Sequence, residues 1–433
     1  MSTPGAIRIT SQVVDSLSVL LRALLHFEGP ADATMSRHFK ADRTLGSRDR
    51  SLVAEAAFDA LRRLASLRWV MQTADPLRAP RLAALIVLAR QHGIESLPPR
   101  SLRGEERAVR GALAIALRHA PQAVRDEVPQ WLMRMTAEQY ADADALLTAL
   151  AQPAPLDLRV NSHKTDRASV LAELRSATRI HAPLAAEPTR YSPDGVRLQE
   201  KPALTRWPLY QDGLVEVQDE GSQLIARLVA PRRGEMIVDF CAGAGGKTLA
   251  LGALMRSTGR IYAFDIHAKR LAGLTPRMAR SGLSNVHPAA ISSENDARVK
   301  RLAGKIDRVL VDAPCSGTGT LRRNPDLKWR FDEQELDRLN GVQRAVLAGA
   351  SRLCKPGGRL VYSTCSILAR ENQEVIADFL ATHPQYSLVE SAPILAAQDI
   401  VIERSDAHTP YFVMLPHIHA SDGFFAAVLE RTR

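Results

Sequence analysis

A chain of 433 residues with a formal net charge of +10 is long enough for two or three domains and favours a polyanionic partner, nucleic acid foremost. Its four cysteines, Cys241, Cys315, Cys354 and Cys365, form no C-x-x-C pair, which argues against a disulfide framework or a zinc knuckle and for a reducing, cytoplasmic setting. The early apolar stretch from Val13 to Phe27 is interrupted by Asp15, Ser16, Ser18 and Arg22, too often for a signal sequence or a membrane span, so a soluble protein without a membrane partner is expected.

Up to Leu150, apolar residues recur at helical spacing: Val14, Leu17, Leu21, Leu24 and Leu25, then Val53, Ala56, Ala57, Ala60, Leu61 and Leu64. This predicts an all-helical domain over residues 1–150, with further helices from Leu82 to Arg90 and from Ala108 to His119. Thr136 followed by Gln139 reads as a capping box opening a helix through Leu146, Leu147 and Leu150. Pro153-Ala154-Pro155 then breaks the pattern. Over 151–220 a small α+β insert is expected, with Leu156 to Val160 alternating like a half-buried strand, a helix from Ala168 to Leu174 and an extended Gly213 to Val217. From residue 221 to 433, short apolar strands alternate with helices: Met236 to Phe240, Arg260 to Phe264, Arg308 to Val311 and Arg359 to Tyr362. That rhythm predicts an α/β fold with a doubly wound, mostly parallel sheet, and Tyr411 to Leu415 with Phe424 to Leu429 suit an antiparallel edge hairpin.

Two of the predicted strands end in a cysteine motif, Asp312-Ala313-Pro314-Cys315 and Ser363-Thr364-Cys365-Ser366. Carboxyl ends of parallel strands are where open α/β sheets keep their chemistry, and two thiols facing one pocket suit a reaction that adds a thiolate and later expels it. Cys241 and Cys354 read as ordinary small buried hydrophobes.

An earlier strand runs into Cys241-Ala242-Gly243-Ala244-Gly245-Gly246-Lys247-Thr248. A phosphate-binding Walker loop would need glycine where Cys241 stands, and a nicotinamide-binding loop would need the full G-x-G-x-x-G spacing, where Thr248 follows Gly243 and Gly245 instead. The third reading is S-adenosylmethionine, whose pocket uses a looser glycine-rich turn and an acidic residue ending the next strand. Asp265 holds that place and can accept from both ribose hydroxyls, while Asp296 is a candidate partner for the adenine amino group. Lys247 is a candidate contact for the cofactor's carboxylate, with a lysine bonding backbone carbonyls as the alternative.

These blocks, with Gln218-Asp219-Glu220-Gly221-Ser222-Gln223, Asp307 to Trp329 and Gly357 to Asn372, resemble the Sun (Fmu) group of RNA cytosine carbon-5 methyltransferases. The turn departs from the group's common Ala-Ala-Pro-Gly-Gly-Lys by reading Ala242-Gly243-Ala244-Gly245-Gly246-Lys247, and loss of the proline loosens it. Asp49-Arg50-Ser51-Leu52-Val53 with Leu61-Arg62-Arg63 resembles the NusB-like RNA-binding domain of one subgroup. The resemblance implies a Rossmann-like class I methyltransferase domain, S-adenosylmethionine as cofactor, and small-subunit (16S) ribosomal RNA as substrate and partner. It implies Cys365 as the nucleophile at carbon-6 of cytosine, Cys315 as the group that assists release, and Asp312 as acceptor for the cytosine amino group and part of the cofactor site. Having both cysteine motifs favours RNA over DNA. Another RNA such as tRNA, or a non-enzymatic RNA-binding assembly factor, are the alternatives, and a monomer is the default.

For RNA itself, Arg322, Arg323 and Lys328 follow the Cys315 motif and are predicted phosphate contacts at the pocket mouth. Trp329 either stacks on a base or anchors the loop, Arg159 and Asn161 of the insert match an element near RNA in the family, and Asp422-Gly423-Phe424-Phe425 is the expected far wall. A paired target base would have to flip out, so an unpaired cytosine is expected.

Overall fold

The computed structural model describes residues 8–72, 74–176, 183–403 and 409–432, and the chain divides into two units. One unit joins the residues up to Gln152 with the distant segment Leu321–Asp332, and the other takes Pro153–Thr320 and everything from Glu333 onward.

The first unit is helical throughout its described residues. Its apolar spacing becomes a core: the helix Ser11–Leu24 buries Val13, Val14, Leu17, Leu20, Leu21 and Leu24 along one face, and the Thr10 side chain caps it by accepting from the Val13 amide at 3.2 Å. Pro80–His92 is the hub, because every residue from Ala83 to Ala89 is buried. The capping box expected at Thr136 is corrected. Thr136 lies inside the helix Gln130–Gln139, and its buried hydroxyl donates to the Leu132 carbonyl at 2.8 Å. Pro129 fixes an extended backbone one step before that helix and starts it early, so the threonine satisfies itself on the carbonyl four residues back.

The captured segment Leu321–Asp332 completes the helical unit through helix ends. The helix Ser47–Arg62 leaves its last carbonyls open, and Lys328 Nζ donates to the Arg62 carbonyl at 2.9 Å while Trp329 Nε1 donates to that of Leu61 at 2.8 Å. Asp326 Oδ2 accepts from the Ala31 amide, the first of the helix Ala31–Ala41, at 3.3 Å.

The second unit holds two sheets. Strands β1 (Leu156–Val160), β2 (Ala186–Pro188), β3 (Gly195–Leu198) and β4 (Val215–Val217) form an antiparallel sheet ordered β2-β3-β1-β4, with the helix Arg167–Arg175 packed on it. The larger sheet comprises β5 (Met236–Asp239), β6 (Arg260–Asp265), β7 (Val286–Ala290), β8 (Ile306–Asp312), β9 (Cys354–Thr364), β10 (Tyr386–Val389), β11 (Phe412–Met414) and β12 (Phe424–Arg431). Its order is β10-β12-β9-β8-β5-β6-β7, with β11 also on β12. The five strands from β9 to β7 run parallel, and the β12 pairings are antiparallel.

Alternation along the strands feeds two separate cores, as a doubly wound sheet requires. Ile237, Leu310, Val361 and Ala426 face one, while Val238, Val309, Val311, Leu360, Tyr362 and Phe425 face the other. One expectation is corrected. β12 is no edge strand, since it is paired on both sides, and its unbroken run of buried residues from Phe424 to Leu429 is the signature of that position. β7, with a proline in Val286-His287-Pro288-Ala289-Ala290, carries too weak an apolar run to be read as a strand but forms the opposite edge, where proline is tolerated. Among the described residues no helix is long and apolar enough to cross a membrane.

Candidate active site at the carboxyl end of the sheet

Four parallel strands deliver the candidate residues to one rim. β5 ends at Asp239 and passes through the glycine-rich turn into the helix Gly246–Leu254. Gly243 and Gly245 both have positive φ, +55° and +82°. A Cβ on Gly245 would sit 2.2 Å from Leu274 Cδ1, so this position needs glycine for its conformation and for space. β6 ends at Asp265, whose buried carboxylate accepts from the Gly243 amide at 2.8 Å and the His267 amide at 2.7 Å. The predicted pairing of turn and acidic strand end is therefore present. Gly245 makes no side-chain bond to the helix it precedes, which leaves the first amides of that helix without a side-chain cap.

Lys247 is buried in the first turn of that helix and donates to Asp312 Oδ2 at 2.8 Å, with its ammonium over the Phe424 ring at 5.6 Å. Burial alone would lower its pKa, but the attraction of Asp312, its hydrogen bond and the neighbouring Cys365 outweigh that and raise it. The Lys247 hydrogen bond goes to this carboxylate and not to a backbone carbonyl. Asp312 also accepts from Ser363 Oγ at 3.1 Å, and its side chain keeps 31% exposure toward the rim.

β8 and β9 pair in parallel with Asp312 opposite Ser363, so the loops carrying the two cysteines leave adjacent strands at the same level. Cys315 Sγ and Cys365 Sγ stand 3.4 Å apart, both half-buried. The Gly319 amide donates to the Cys365 carbonyl at 2.9 Å, and Gly423 donates to the Gly319 carbonyl at 2.8 Å. Gly319 and Gly423 meet backbone to backbone, which is how the segment Asp422 to Phe425 reaches the site. The hydrogen bond to Cys365, burial and the negative charges of Cys365 and Glu371 together push the Cys315 thiol well above the usual cysteine range. Cys241 is half-buried, with its pKa also raised, by desolvation and by Asp239, Asp312 and Asp265, while Cys354 is fully buried.

Asp296 follows β7 at the same sheet rim, where its carboxylate caps the turn Ala297–Lys300 and holds Ser292, accepting from Arg298 N at 2.8 Å and Ser292 N at 2.9 Å. Several predicted RNA contacts fall elsewhere. Arg159 is corrected as an RNA contact: it is buried in β1, bonded through Nε to Gln218 Oε1 at 2.6 Å, and burial lowers its pKa to about 10 against the pull of Glu216. Asn161 is corrected likewise, because its amide nitrogen donates to the carbonyls of Gly213 and Ser281, both at 2.9 Å, inside the protein. Arg322 and Lys328 do not line a pocket mouth; both are buried in the helical unit, and burial takes Lys328 down to about 7 although Glu127 favours its charge. Arg323 is half-buried in the same segment, and Trp329 anchors it.

Sequence reasoning passed over two buried acids. Asp239 Oδ2 accepts from Thr248 Oγ1 at 2.6 Å, while its Oδ1 is buried with no partner. Glu371, fully buried, bonds the serines that follow both cysteines. Its position six residues beyond Cys365 inside the Gly357 to Asn372 block was the available signal.

A mostly parallel sheet with a glycine-rich turn after β5, an acid ending β6 and thiols beyond β8 and β9 defines a Rossmann-like methyltransferase domain. The family model described as 16S rRNA methyltransferase RsmB/F matches residues 226–430, and that of the RsmF/B-like ferredoxin-like domain matches 128–205. Ribosomal RNA small subunit methyltransferase B of Sodalis glossinidius is 32% identical over 412 residues, covering 88% of this chain and 90% of that one. The probable ribosomal RNA small subunit methyltransferase B of Synechocystis is 37% identical over 314 residues, 70% of this chain, and the match spans 66% of that relative's length, just under two thirds. The crystal structure of PH0851 shares the fold at a TM-score of 0.81 and 23% identity, covering 98% of this chain and 100% of that one. The chain belongs to the family of ribosomal RNA small subunit methyltransferases of the Sun/Fmu type.

Proposed function

We propose that this protein transfers a methyl group from S-adenosylmethionine to carbon-5 of an unpaired cytosine in small-subunit ribosomal RNA, with Cys365 as nucleophile and Cys315 as the release group. The observation that carries the reading is the 3.4 Å approach of two half-buried thiols beside the Lys247–Asp312 ion pair. The turn suits the cofactor: its helix lacks a side-chain cap, Asp265 offers a carboxylate, and Asp239 Oδ1 is a buried acceptor without a donor. Gly243, Gly245 and Lys247 would hold the amino-acid end and Asp265 the ribose. When bound, S-adenosylmethionine supplies an electrophilic methyl group on a sulfonium.

Carbon-5 of cytosine is a poor nucleophile. Addition of the Cys365 thiolate at carbon-6 breaks the ring double bond and turns carbon-5 into an enamine-like centre. Asp312 accepts from the exocyclic amino group and so orients the ring, whereas the carbonyl of uracil would face its negative charge. Before attack, the bond to Cys365 and the charge of that sulfur keep Cys315 protonated. Once Cys365 is bound to carbon, both influences vanish and the Cys315 pKa falls, though burial and the charge of Glu371 still hold it up, which favours Cys315 acting as the base. It then takes the carbon-5 proton; the C–H electrons restore the ring double bond, and the carbon–sulfur electrons leave with Cys365. A denaturing gel of wild type, Cys315→Ala and Cys365→Ala with ribosomal RNA and S-adenosylmethionine tests this. A covalent adduct accumulating in Cys315→Ala is expected, and accumulation only in Cys365→Ala would reverse the two roles.

A further inference from the structure

Each cysteine lies on a loop, and a loop by itself does not hold two sulfur atoms at a fixed separation. Both loops end on one carboxylate. Glu371, fully buried in the turn Ala369–Glu371, accepts through Oε1 from the Ser316 amide at 2.8 Å and through Oε2 from Ser316 Oγ at 2.5 Å and from Ser366 Oγ. Ser316 directly follows Cys315, and Ser366 directly follows Cys365. Gln343 Nε2 supplies a fourth bond to Oε1 at 3.0 Å and also donates to the Pro314 carbonyl at 2.9 Å, so the residues before and after Cys315 both belong to the network. Four donors converging on a buried acid make a rigid anchor, because any of them left unpaired would carry its full desolvation cost.

The two loops depend on this anchor unequally. Cys365 has a second support, since the Thr364 hydroxyl before it donates to Asn372 Oδ1 at 2.6 Å and Asn372 Nδ2 donates to the Ser366 carbonyl at 2.9 Å. On the Cys315 side, two bonds to Glu371 come from Ser316 itself and a third from the glutamine that holds Pro314; the other ties, Ser316 Oγ to Thr318 and Ser366 at 3.2 and 3.4 Å, Thr318 Oγ1 to Ser366 Oγ at 3.0 Å and the Gly319 amide to the Cys365 carbonyl at 2.9 Å, are longer or lie further along the loop.

We propose that Glu371 is a positioning residue for the thiol pair: it sets the approach of Cys315 to Cys365 and thereby the rate at which the RNA adduct is released, without touching substrate. The inference rests on the cysteine-pair reading given above. Loosening the anchor displaces Cys315 first, so nucleophilic attack by Cys365 survives while release slows.

The test uses the full chain with ribosomal RNA and S-adenosylmethionine. Glu371→Gln keeps the shape but replaces one acceptor oxygen by a donor facing serine hydroxyls or Gln343. The expected result is release slowed about tenfold, the scale of one lost charge-assisted hydrogen bond. Adduct then accumulates at steady state, while single-turnover methyl transfer and the thermal shift on adding S-adenosylmethionine stay as in wild type. Ser316→Ala, which keeps the amide bond to Glu371, should move adduct level the same way but less, and it decides the matter if Glu371→Gln does not fold. Wild-type adduct level and turnover in these variants would overturn the role, as would parallel loss of attack and release with the cofactor shift intact. Cys315→Ala is run beside them: adduct there but not in Glu371→Gln sinks the Glu371 role alone, whereas no adduct in Cys315→Ala sinks the cysteine-pair reading and this role with it.

Discussion

Asp239 offers a test of the site's electrostatics that needs no substrate. Its carboxyl is buried at the end of β5, bonded only through Oδ2 to Thr248, and burial raises its pKa from 3.8 to about 7 against that bond, with Asp312 adding to the rise. A raised acid binds its proton more tightly when folded, so the folded state holds the extra proton between about pH 4 and 7 and stability falls as pH rises through that window. The shift of roughly 3 units corresponds to about 4 kcal/mol across the whole window, of which roughly 2–3 kcal/mol lies between about pH 5 and 8. Asp239→Asn has nearly the same shape and does not titrate. In cofactor-free protein, the variant should therefore gain about 2–3 kcal/mol on wild type as pH goes from about 5 to 8, whatever the fixed difference at the lower pH. Urea titrations followed by hydrogen–deuterium exchange of the β5 and β8 peptides report on the unit that holds the carboxyl. A gap between the two proteins that stays constant within about 0.5 kcal/mol over that range would refute the reasoning, because Asp239 would then ionise at the same pH folded and unfolded.

Two other substitutions test the joining of the cysteine loops and the role of Trp329 that the sequence left open. In Gly319→Ala the new Cβ would fall 2.2 Å from the Gly423 carbonyl oxygen and 2.8 Å from its Cα, and backbone cannot swing aside as a side chain does; a loss of about 1–3 kcal/mol in urea unfolding is expected. Methyl transfer should drop more than about tenfold while the thermal shift with S-adenosylmethionine survives, and full activity would show that the two loops tolerate separation. Trp329→Phe removes the bond to the Leu61 carbonyl from the helical core and should cost about 1–2 kcal/mol of stability with RNA affinity unchanged by filter binding. Weaker RNA binding at unchanged stability would restore the base-stacking role.

What the sequence determined by itself is what short segments encode. The short apolar runs Ile237-Val238 and Val309-Leu310-Val311, with breaks after each, are enough to predict buried strands of an α/β sheet, and the residues that follow those breaks lie at the strand ends whatever the order of strands. Gly245 announces its positive φ, and Asp265 its strand end, in the same local way. Helical spacing before Leu150 was equally legible, since an amphipathic face is a property of a few turns.

Tertiary structure decided everything that depends on residues far apart in the chain. Arg159, Asn161 and Lys328 look like surface cations and amides in sequence, but each is taken inside by distant carbonyl oxygens: Gln218, Gly213 and Ser281, or the end of the helix Ser47–Arg62. β12 reads as the edge strand of a hairpin with β11, and it does pair with β11, yet it also fills the gap between β9 and β10. Glu371 is one acid among many until folding brings Ser316 and Ser366 onto it. The physical reason is the same in each case: a side chain's charge and hydrogen-bonding groups are fixed by its type, but the cost of burying them is met only by partners that the fold supplies.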